Sequence, residues 1–426
     1  MRILYLNPCG QMGGAETSLL ELLTGVRTAV PDWELWLVLG EDGPLTGKAR
    51  ELGVQVRVVP FPPALASTGD ATFSPAAVLR LASGTAVSTA RYARRLGVVI
   101  RGIRPDIIHT NGFKMHVLGA WAARRGTPVI WHIHDYVRSR RWMGRILRQF
   151  RGRCAAAIVN SKSVGSDVQA LLPQLRITVI YNAVDLARFA PAGPRADLDG
   201  LSGLPAGAPG LVRVGLVATF ARWKGHRVFL EALAQLPPDA PIRGYVIGGA
   251  IYQTSGSQWN RPELEQEADQ LGLTGKVGFT GVVEDAAQAM RALDIVVHAS
   301  TQPEPFGMVI AEGMACARPV VASQGGGATE LFSDGENALA HSPGDANALS
   351  RQILRLAGDP ALRARLGAAG RATAEQRYSR ERLAQELIAT YGAVLPSSNS
   401  VPLESKPANH RSPMASTHCP TPESHS

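Results

Sequence analysis

Residues 302–327 read QPEPFGMVIAEGMACARPVVASQGGG, a stretch in which two carboxylates, Glu304 and Glu312, have seven residues between them. The Pro-Phe-Gly that follows the first carboxylate predicts the start of a helix. An Arg-Pro pair predicts its end, because a helix rarely continues through the residue before proline. A short apolar strand over residues 320–323 comes next, and three glycines follow it.

The start of this predicted helix suits an anion, because the first backbone N–H groups lack partners and the helix dipole is positive there. Gly307 would let a ligand approach the backbone closely. Eight residues of helix rise about 12 Å, which would place Glu304 near the helix mouth and Glu312 along one side. A nucleotide sugar, with phosphates at its centre and hydroxyls at both ends, fits three such points. The alternative is a buried helix with two surface glutamates.

The composition limits the possible classes of protein. With 426 residues, 45% of them hydrophobic, the chain is long enough for two domains. No apolar run is long enough to cross a membrane, and the first residues predict a strand rather than a signal segment. The four cysteines are scattered, which predicts neither disulfides nor zinc and favours a reducing cytoplasm. The net charge of +9 favours an anionic partner, and no nucleic-acid motif accompanies it.

Short apolar strands alternate with helical stretches in both halves of the chain. In the first half, strands are predicted over residues 2–7, 34–40, 54–60, 106–110, 128–134 and 155–160, and a long helix over 75–103. In the second half, strands are predicted over 211–218, 242–248, 277–280, 295–299 and 319–323, and residues 345–391 are helical. This alternation predicts parallel, doubly wound sheets, in which ligands lie at the carboxyl ends of the strands.

Two motifs in the first half lie at predicted strand ends. Gly13 and Gly14, followed by Glu16, open a helix and would allow close approach to a phosphate or an acceptor, although an ordinary tight turn explains them equally well. His132 and His134 share one strand face, with His134 nearer the carboxyl end. A metal pair would lack a third ligand, and a histidine bonded to the backbone explains the pattern equally well.

The stretch from 136 to 153 combines apolar residues at helical spacing with seven arginines, 138, 140, 141, 145, 148, 151 and 153. A basic amphipathic helix can lie on an anionic membrane. The alternative is a surface helix that packs its apolar face on the first domain.

Three further features of the second half lie at or near predicted strand and helix ends. Lys224, at the start of a helix, could neutralise a departing diphosphate, although a lone Lys-Gly pair is common. A strand ends in glycines at Gly248. Gly326 and Gly327 belong to a glycine cluster that could equally be a flexible loop.

Together these motifs resemble the retaining GT-B glycosyltransferases of family 4, whose signature is E-x7-E. The resemblance covers most of the chain, roughly residues 1–394. It includes the GGAE at Gly13 and the segment NAVD, in which Ala183 stands where glycine is usual. It departs from the family at Thr219, where an arginine is often found, and Arg222 is the expected substitute.

The resemblance implies an α/β fold with two Rossmann-like domains facing across a cleft. The expected organisation is an acceptor-binding domain over residues 1–190, a linker over 191–210, a nucleotide-sugar-binding domain over 211–375, a helix over 376–395 that crosses back to the first domain, and a disordered tail over 396–426. The linker contains Asp197-Leu198-Asp199, a D-x-D of the kind that binds a metal in another glycosyltransferase fold. Here it is interpreted as a solvated loop.

The resemblance also implies roles for particular residues. Glu312 would hold the ribose, Glu304 the sugar hydroxyls, and His134 would reach the sugar from the opposing domain. Lys224 and Arg222 would stabilise the departing diphosphate. The remaining donor-binding positions implied are Phe306, Gly307, Met308, Val309, Gly13, Gly14, Gly248, Gly326 and Gly327.

The implied function is transfer of a hexose from a nucleotide sugar to a glycan or lipid-linked acceptor, with retention and without a metal or other cofactor. The enzyme is expected in the cytoplasm, at the inner face of the membrane if the basic stretch makes contact. An epimerase or phosphorylase of the same fold, or a non-catalytic relative that binds a membrane or a partner, is the alternative.

Overall fold

The computed structural model describes residues 1–62, 86–250 and 257–395. Two parallel sheets divide these residues into two Rossmann-like domains, which confirms the predicted α/β class. The predicted disordered tail over 396–426 lies outside the described residues, as does the first part of the helix predicted over 75–103.

The sheet of the N-terminal domain is parallel throughout and has the order β3-β2-β1-β4-β5-β6-β7. Its strands are β1 (Arg2–Asn7), β2 (Glu34–Leu39), β3 (Gln55–Val58), β4 (Ile107–Asn111), β5 (Val129–Ile133), β6 (Ala156–Val159) and β7 (Ile177–Val179). Its helices are α1 (Gly14–Ala29), α2 (Pro44–Glu51), α3 (Ala86–Ile103), α4 (Phe113–Ala122), α5 (Arg141–Phe150) and α6 (Lys162–Leu171). The strand order reverses between β1 and β4, where doubly wound sheets bind ligands.

The linker corrects one expectation from the sequence. It contains a short helix, α7 (Leu198–Leu201), and Asp199 on that helix is buried rather than solvated. The Asp199 carboxylate pairs with Arg213 at 2.8 Å and Arg243 at 2.5 Å, and it accepts a hydrogen bond from Tyr245. Burial alone would raise the pKa of Asp199, but the hydrogen bonds from Tyr245 and the two arginines hold it well below its usual range. Asp199 therefore fastens the linker to the C-terminal domain.

The sheet of the C-terminal domain is also parallel, with the order β10-β9-β8-β11-β12-β13. Its strands are β8 (Val212–Val217), β9 (Ile242–Ile247), β10 (Val277–Gly281), β11 (Ile295–His298), β12 (Val320–Ser323) and β13 (Leu339–His341). Its helices are α8 (His226–Ala234), α9 (Arg261–Gln270), α10 (Ala286–Ala292), α11 (Met308–Ala315), α12 (Ala346–Gly358) and α13 (Pro360–Arg377). The order reverses between β8 and β11, the counterpart of the crevice in the first domain.

The last helix, α14 (Arg380–Gly392), leaves the C-terminal domain and lies on the N-terminal one. Arg380 forms ion pairs with Glu21 at 2.5 Å and Asp185 at 2.8 Å. The Tyr391 hydroxyl donates to the Tyr5 hydroxyl at 3.2 Å. The chain therefore passes between the domains twice, once through the linker and once before α14.

Helix α5 contains most of the basic stretch. Met143 and Leu147 are buried against the core of the N-terminal domain, so the apolar face of the helix packs inward as the alternative reading predicted. Arg141, Arg145 and Arg148 remain exposed on the outer face. No described helix is apolar over the length that a bilayer crossing requires.

Candidate functional site

Helix α11 begins at Met308, directly after Gly307, whose φ of 100° lies in the left-handed region that favours glycine. Because Gly307 has no side chain to cap the helix, the amides of Met308 and Val309 lack a side-chain capping group. Phe306 is buried and packs near the ring of Tyr181, so only its backbone could meet a ligand.

Glu304 lies at the centre of a hydrogen-bonded group just before this helix. It is only 7% exposed, and both of its carboxylate oxygens lie 2.8 Å from Nζ of Lys224. The Ser300 hydroxyl donates to Oε2 at 2.7 Å, and Nε2 of His298 lies 3.3 Å from the same oxygen. Burial alone would raise the pKa of Glu304, but the Lys224 charge holds it well below its usual range. The buried carboxylate is therefore ionised and paired.

Lys224 ends a 3-10 turn, and the next residue, Gly225, has φ of 79°. A Cβ at Gly225 would overlap the carbonyl of Ala299, which follows β11. The close approach of these two backbone segments therefore requires glycine at position 225. Arg222 begins the same turn, but its guanidinium lies 3.8 Å from the ring centre of Trp259 and stacks on it. The structure thus brings Lys224 to Glu304, and it places Arg222 on an aromatic ring.

Glu312 lies in the second turn of α11, whereas Glu304 lies just before the helix begins. It is partly buried, and burial raises its pKa to about 7, although the nearby positive charge of Arg188 opposes the shift. The two carboxylates of the E-x7-E spacing therefore differ, since pairing with Lys224 lowers the pKa of Glu304 while burial raises that of Glu312.

His134 follows β5 at the carboxyl edge of the N-terminal sheet. Its Nε2 lies 3.3 Å from Oδ1 of Asn111, and its backbone carbonyl accepts a hydrogen bond from Asn160 at 3.3 Å. Burial lowers the pKa of His134 to about 4, so the ring is neutral at physiological pH. His132 pairs instead with His109 at 3.1 Å. Within the described ranges, no three His, Cys, Asp or Glu side chains are grouped as metal ligands.

Gly13 and Gly14 open α1 at the same edge. A Cβ at Gly14 would meet nothing within 4 Å, and one at Gly13 would meet only the Glu16 carboxylate at 3.0 Å, so neither glycine is required by packing. The Glu16 carboxylate accepts a hydrogen bond from Asn7 at 3.2 Å, and burial raises its pKa.

Buried polar atoms line the carboxyl ends of four adjacent strands, β1, β4, β5 and β6. Those without a hydrogen-bond partner among the described residues are Asn7 Oδ1, Asn111 Nδ2, His132 Nε2 and Asn160 Oδ1. Buried polar atoms are nearly always paired in proteins, by protein groups, water or ligand. This row is therefore a set of buried polar groups at the point where the strand order of the sheet reverses.

The other predicted glycines lie where backbones approach closely. A Cβ at Gly248 would overlap the carbonyl that follows β8. A Cβ at Gly326 would overlap the Tyr136 hydroxyl, and one at Gly327 would lie 2.6 Å from the Ser161 hydroxyl. Tyr136 and Ser161 belong to the N-terminal domain, so this glycine loop lies directly against the opposing side of the cleft.

Two family models match the chain: Glycosyltransferase Family 4 over residues 12–188 and Glycosyl transferases group 1 over residues 211–373. The lipopolysaccharide core biosynthesis glycosyltransferase LpsE of Rhizobium meliloti is 32% identical over 276 residues, which are 63% of this chain and 73% of that protein. The chain belongs to the GT-B glycosyltransferases. The prediction of a GT-B glycosyltransferase is therefore confirmed.

Further similarities fit this GT-B glycosyltransferase. A D-inositol 3-phosphate glycosyltransferase of Corynebacterium urealyticum is 32% identical over 260 residues, 59% of this chain and 59% of that protein. The crystal structure of Anabaena HepE in complex with UDP and glucose is 29% identical, with a TM-score of 0.73 over 92% of this chain and 99% of that one.

Sequence reasoning missed several residues of this candidate site. His298 and Ser300 bind the Glu304 carboxylate, and Asn111 and Asn160 hold His134. All four lie at or just after the carboxyl end of a predicted strand, which is the signal that could have marked them. Trp259, on which Arg222 stacks, had no such signal, because its partner is far away in the sequence.

Proposed function

We propose that this glycosyltransferase moves a hexose from a UDP-sugar to a hydroxyl of a glycan, with retention of the anomeric configuration and without a metal. The observation that carries the proposal is the buried Lys224–Glu304 pair beside the uncapped start of α11. The positive charge of Lys224 and the uncapped amides of α11 suit a diphosphate, and the ionised Glu304 carboxylate near them suits the hydroxyls of the attached sugar. The likeness to HepE, solved with UDP and glucose, supports UDP as the nucleotide.

In the proposed reaction, the amides at the start of α11, Lys224 and Arg222 hold the diphosphate. Glu304 orients the sugar hydroxyls, Glu312 holds the ribose, and neutral His134 contacts the sugar from the N-terminal domain. The bond between the anomeric carbon and the phosphate oxygen breaks as the acceptor oxygen bonds to the same face of that carbon. The acceptor proton passes to the departing phosphate oxygen, and Lys224 stabilises the negative charge that remains.

The Lys224–Glu304 pair has a second consequence for this chemistry. Because Glu304 is buried and ionised, its carboxylate holds the positively charged Lys224 side chain beside the start of α11 before any donor arrives. The site is preorganised, so little reorientation of charge is needed when the diphosphate departs.

We propose that the polar row of the N-terminal sheet binds the acceptor hydroxyls. Asn7, Asn111 and Asn160 each carry a buried polar atom without a protein partner, which a sugar hydroxyl would satisfy once the side chain turns toward the cleft. The acceptor class is therefore a hydroxyl-rich glycan, in agreement with the name of the lipopolysaccharide core relative.

The test is to incubate the enzyme with UDP-, GDP- and ADP-hexoses, with and without oligosaccharide acceptors. Release of UDP that depends on the acceptor, with an α-linked product from an α-linked donor, supports the proposal. Epimerised donor without release of UDP would point to an isomerase, and no turnover of any donor would point to a non-catalytic protein. Lys224→Met is expected to lower kcat by roughly 10²- to 10³-fold, while Lys276→Met, an exposed matched control, leaves it unchanged.

We also propose that the outer basic face of the N-terminal domain contacts an anionic membrane in the cytoplasm. Helix α4 packs between α3 and α5, and Trp121 near its end is 49% exposed. The flanking helix α5 exposes Arg141, Arg145 and Arg148. A membrane-anchored glycolipid acceptor would explain such a face, since each basic residue near an anionic surface adds about 1 kcal/mol of binding.

Co-sedimentation with vesicles of phosphatidylglycerol and phosphatidylcholine tests this contact. Binding is expected to weaken as salt rises and in the variant Arg145→Gln/Arg148→Gln. The matched control Arg351→Gln/Arg355→Gln removes equal charge from exposed positions of the C-terminal domain and should bind normally. Equal loss in both variants, or no binding at low salt, would contradict the proposal.

A further inference from the structure

Glu330 reaches across the cleft from the C-terminal domain. It ends the 3-10 turn Gly327–Glu330, and its carboxylate lies at the start of α6 in the N-terminal domain. The Lys162 amide donates to one oxygen at 2.8 Å, and the Ser163 amide donates to the other at 2.7 Å. The Tyr181 hydroxyl donates a third hydrogen bond at 3.0 Å.

These bonds complete the start of α6. Ser161 caps the helix by accepting a hydrogen bond from the Val164 amide at 3.1 Å, so the amides of the first two helical residues need another acceptor. Glu330 supplies one oxygen to each, and its negative charge faces the positive end of the helix. A carboxylate from one domain thus acts as part of the cap of a helix in the other.

The same loop is joined to the backbone of Glu304. The Glu304 amide donates to the Gly325 carbonyl at 3.1 Å, and the Gly327 amide donates to the Glu304 carbonyl at 2.7 Å. From the N-terminal domain, the Tyr136 hydroxyl donates to the Glu304 carbonyl at 3.3 Å. Any shift of the loop would therefore shift the backbone of Glu304.

On the other side of the cleft, α6 is joined to His134. Asn160, two positions before the helix, donates from its side chain to the His134 carbonyl at 3.3 Å. A continuous chain of hydrogen bonds and short backbone links therefore runs from Glu304 through Glu330 and the start of α6 to His134.

We propose that Glu330 is a positioning residue for sugar transfer. By binding the start of α6, it fixes the separation between Glu304 in one domain and His134 in the other, and so holds the cleft in its closed form. Glu330 itself touches neither donor nor acceptor in this proposal. The kinetic part rests on the proposed function, whereas the domain closure does not.

The experiment compares Glu330→Ala and Glu330→Gln with the matched control Glu336→Gln, which removes the same charge from an exposed position six residues along. A second route removes a donor instead of the acceptor. Lys162→Pro deletes one amide at the first helical position, where proline is tolerated, and the extended backbone of Ser161 suits a following proline.

Small-angle scattering of the full chain without substrates gives the first readout. The Glu330 variants and Lys162→Pro should have a larger radius of gyration than the wild type and Glu336→Gln. Unchanged scattering in Lys162→Pro and in both Glu330 variants would overturn the proposal. If the Glu330 variants fail to fold, Lys162→Pro alone decides between these outcomes.

Kinetics with UDP-hexose and acceptor gives the second readout. The variants should lose about tenfold in kcat/KM, chiefly through a higher KM, because the closed form is less populated before substrates bind. A fall in kcat with unchanged KM would overturn the positioning role. If the scattering changes as expected but no form of the enzyme turns over a UDP-sugar, the proposed function fails while the role of Glu330 in closure stands.

Discussion

At the scale of single residues, the site depends on pairings that local sequence does not contain. Lys224 and Glu304 are 80 positions apart, and they meet because β8 and β11 are neighbours in the sheet. The family resemblance identified both as site residues, but their ion pair follows only from the strand order. His298 escaped notice for the same reason, since a histidine at the end of a strand is ordinary until the residue opposite it is known.

Glu312 gives a prediction about pH. Burial raises its pKa from 4.5 to about 7 in the folded protein, so the folded state binds more protons than the unfolded state between these values. Stability is therefore expected to fall as the pH rises from 4.5 to 7, and the full penalty is present above 7. Glu312→Gln should remove it, raising the free energy of unfolding by on the order of 1–2 kcal/mol at pH 8 but not at pH 4.

Calorimetry at both pH values measures this difference, and a UDP titration of the same variant measures the cost in donor binding. Glu375→Gln, an exposed carboxylate on α13, serves as the control and should show no pH-dependent gain. A Glu312→Gln variant whose melting temperature differs from the wild type equally at both pH values would contradict the assigned titration.

At the scale of elements, the strands were predictable because buried parallel strands have nearly continuous apolar sequences. The predicted strand over residues 155–160 corresponds to β6, which is buried along its whole length. The linker was not predictable in the same way. Its D-x-D has the polar sequence of a solvated loop, but Asp199 is buried because its carboxylate pairs with two arginines on β8 and β9.

Asp199→Ala is expected to lower the free energy of unfolding by about 3–5 kcal/mol, because it leaves two arginines and a tyrosine of the C-terminal domain without their shared acceptor. The neighbouring acid provides the comparison. Asp197 is exposed and caps α7 by accepting a hydrogen bond from Gly200 at 3.0 Å, so Asp197→Ala should lose only about 1 kcal/mol. Denaturant unfolding of both variants decides, and equal losses would mean that the buried network contributes little.

At the scale of the whole molecule, the stability of the N-terminal domain depends on α14, which follows the C-terminal domain in the sequence. Leu383, Leu387 and Tyr391 are buried in the same core as Ile3 and Leu22 of the N-terminal domain. The family resemblance implied that a last helix crosses back. It did not give the contacts, because a helix with this mixed sequence could pack on many surfaces.

Leu387→Ala is therefore expected to lower stability by about 2–5 kcal/mol, and the loss should appear in the N-terminal domain. Hydrogen exchange should show reduced protection in β1 and α1 with little change in β8 and β11. Leu354→Ala, at a position that is 43% exposed, is the matched control and should have a small effect. Reduced protection confined to the C-terminal sheet would contradict this arrangement.

The return of α14 also bears on the order in which a newly made chain can mature. Translation delivers β1 before the C-terminal domain and Tyr391 after it, yet the Tyr391 hydroxyl lies 3.2 Å from that of Tyr5 and 2.8 Å from His109. The N-terminal domain therefore keeps part of its interior uncovered until the C-terminal domain has also been made. During that interval, the apolar core around Tyr5 that α14 later covers is exposed, and a chaperone would be expected to bind there.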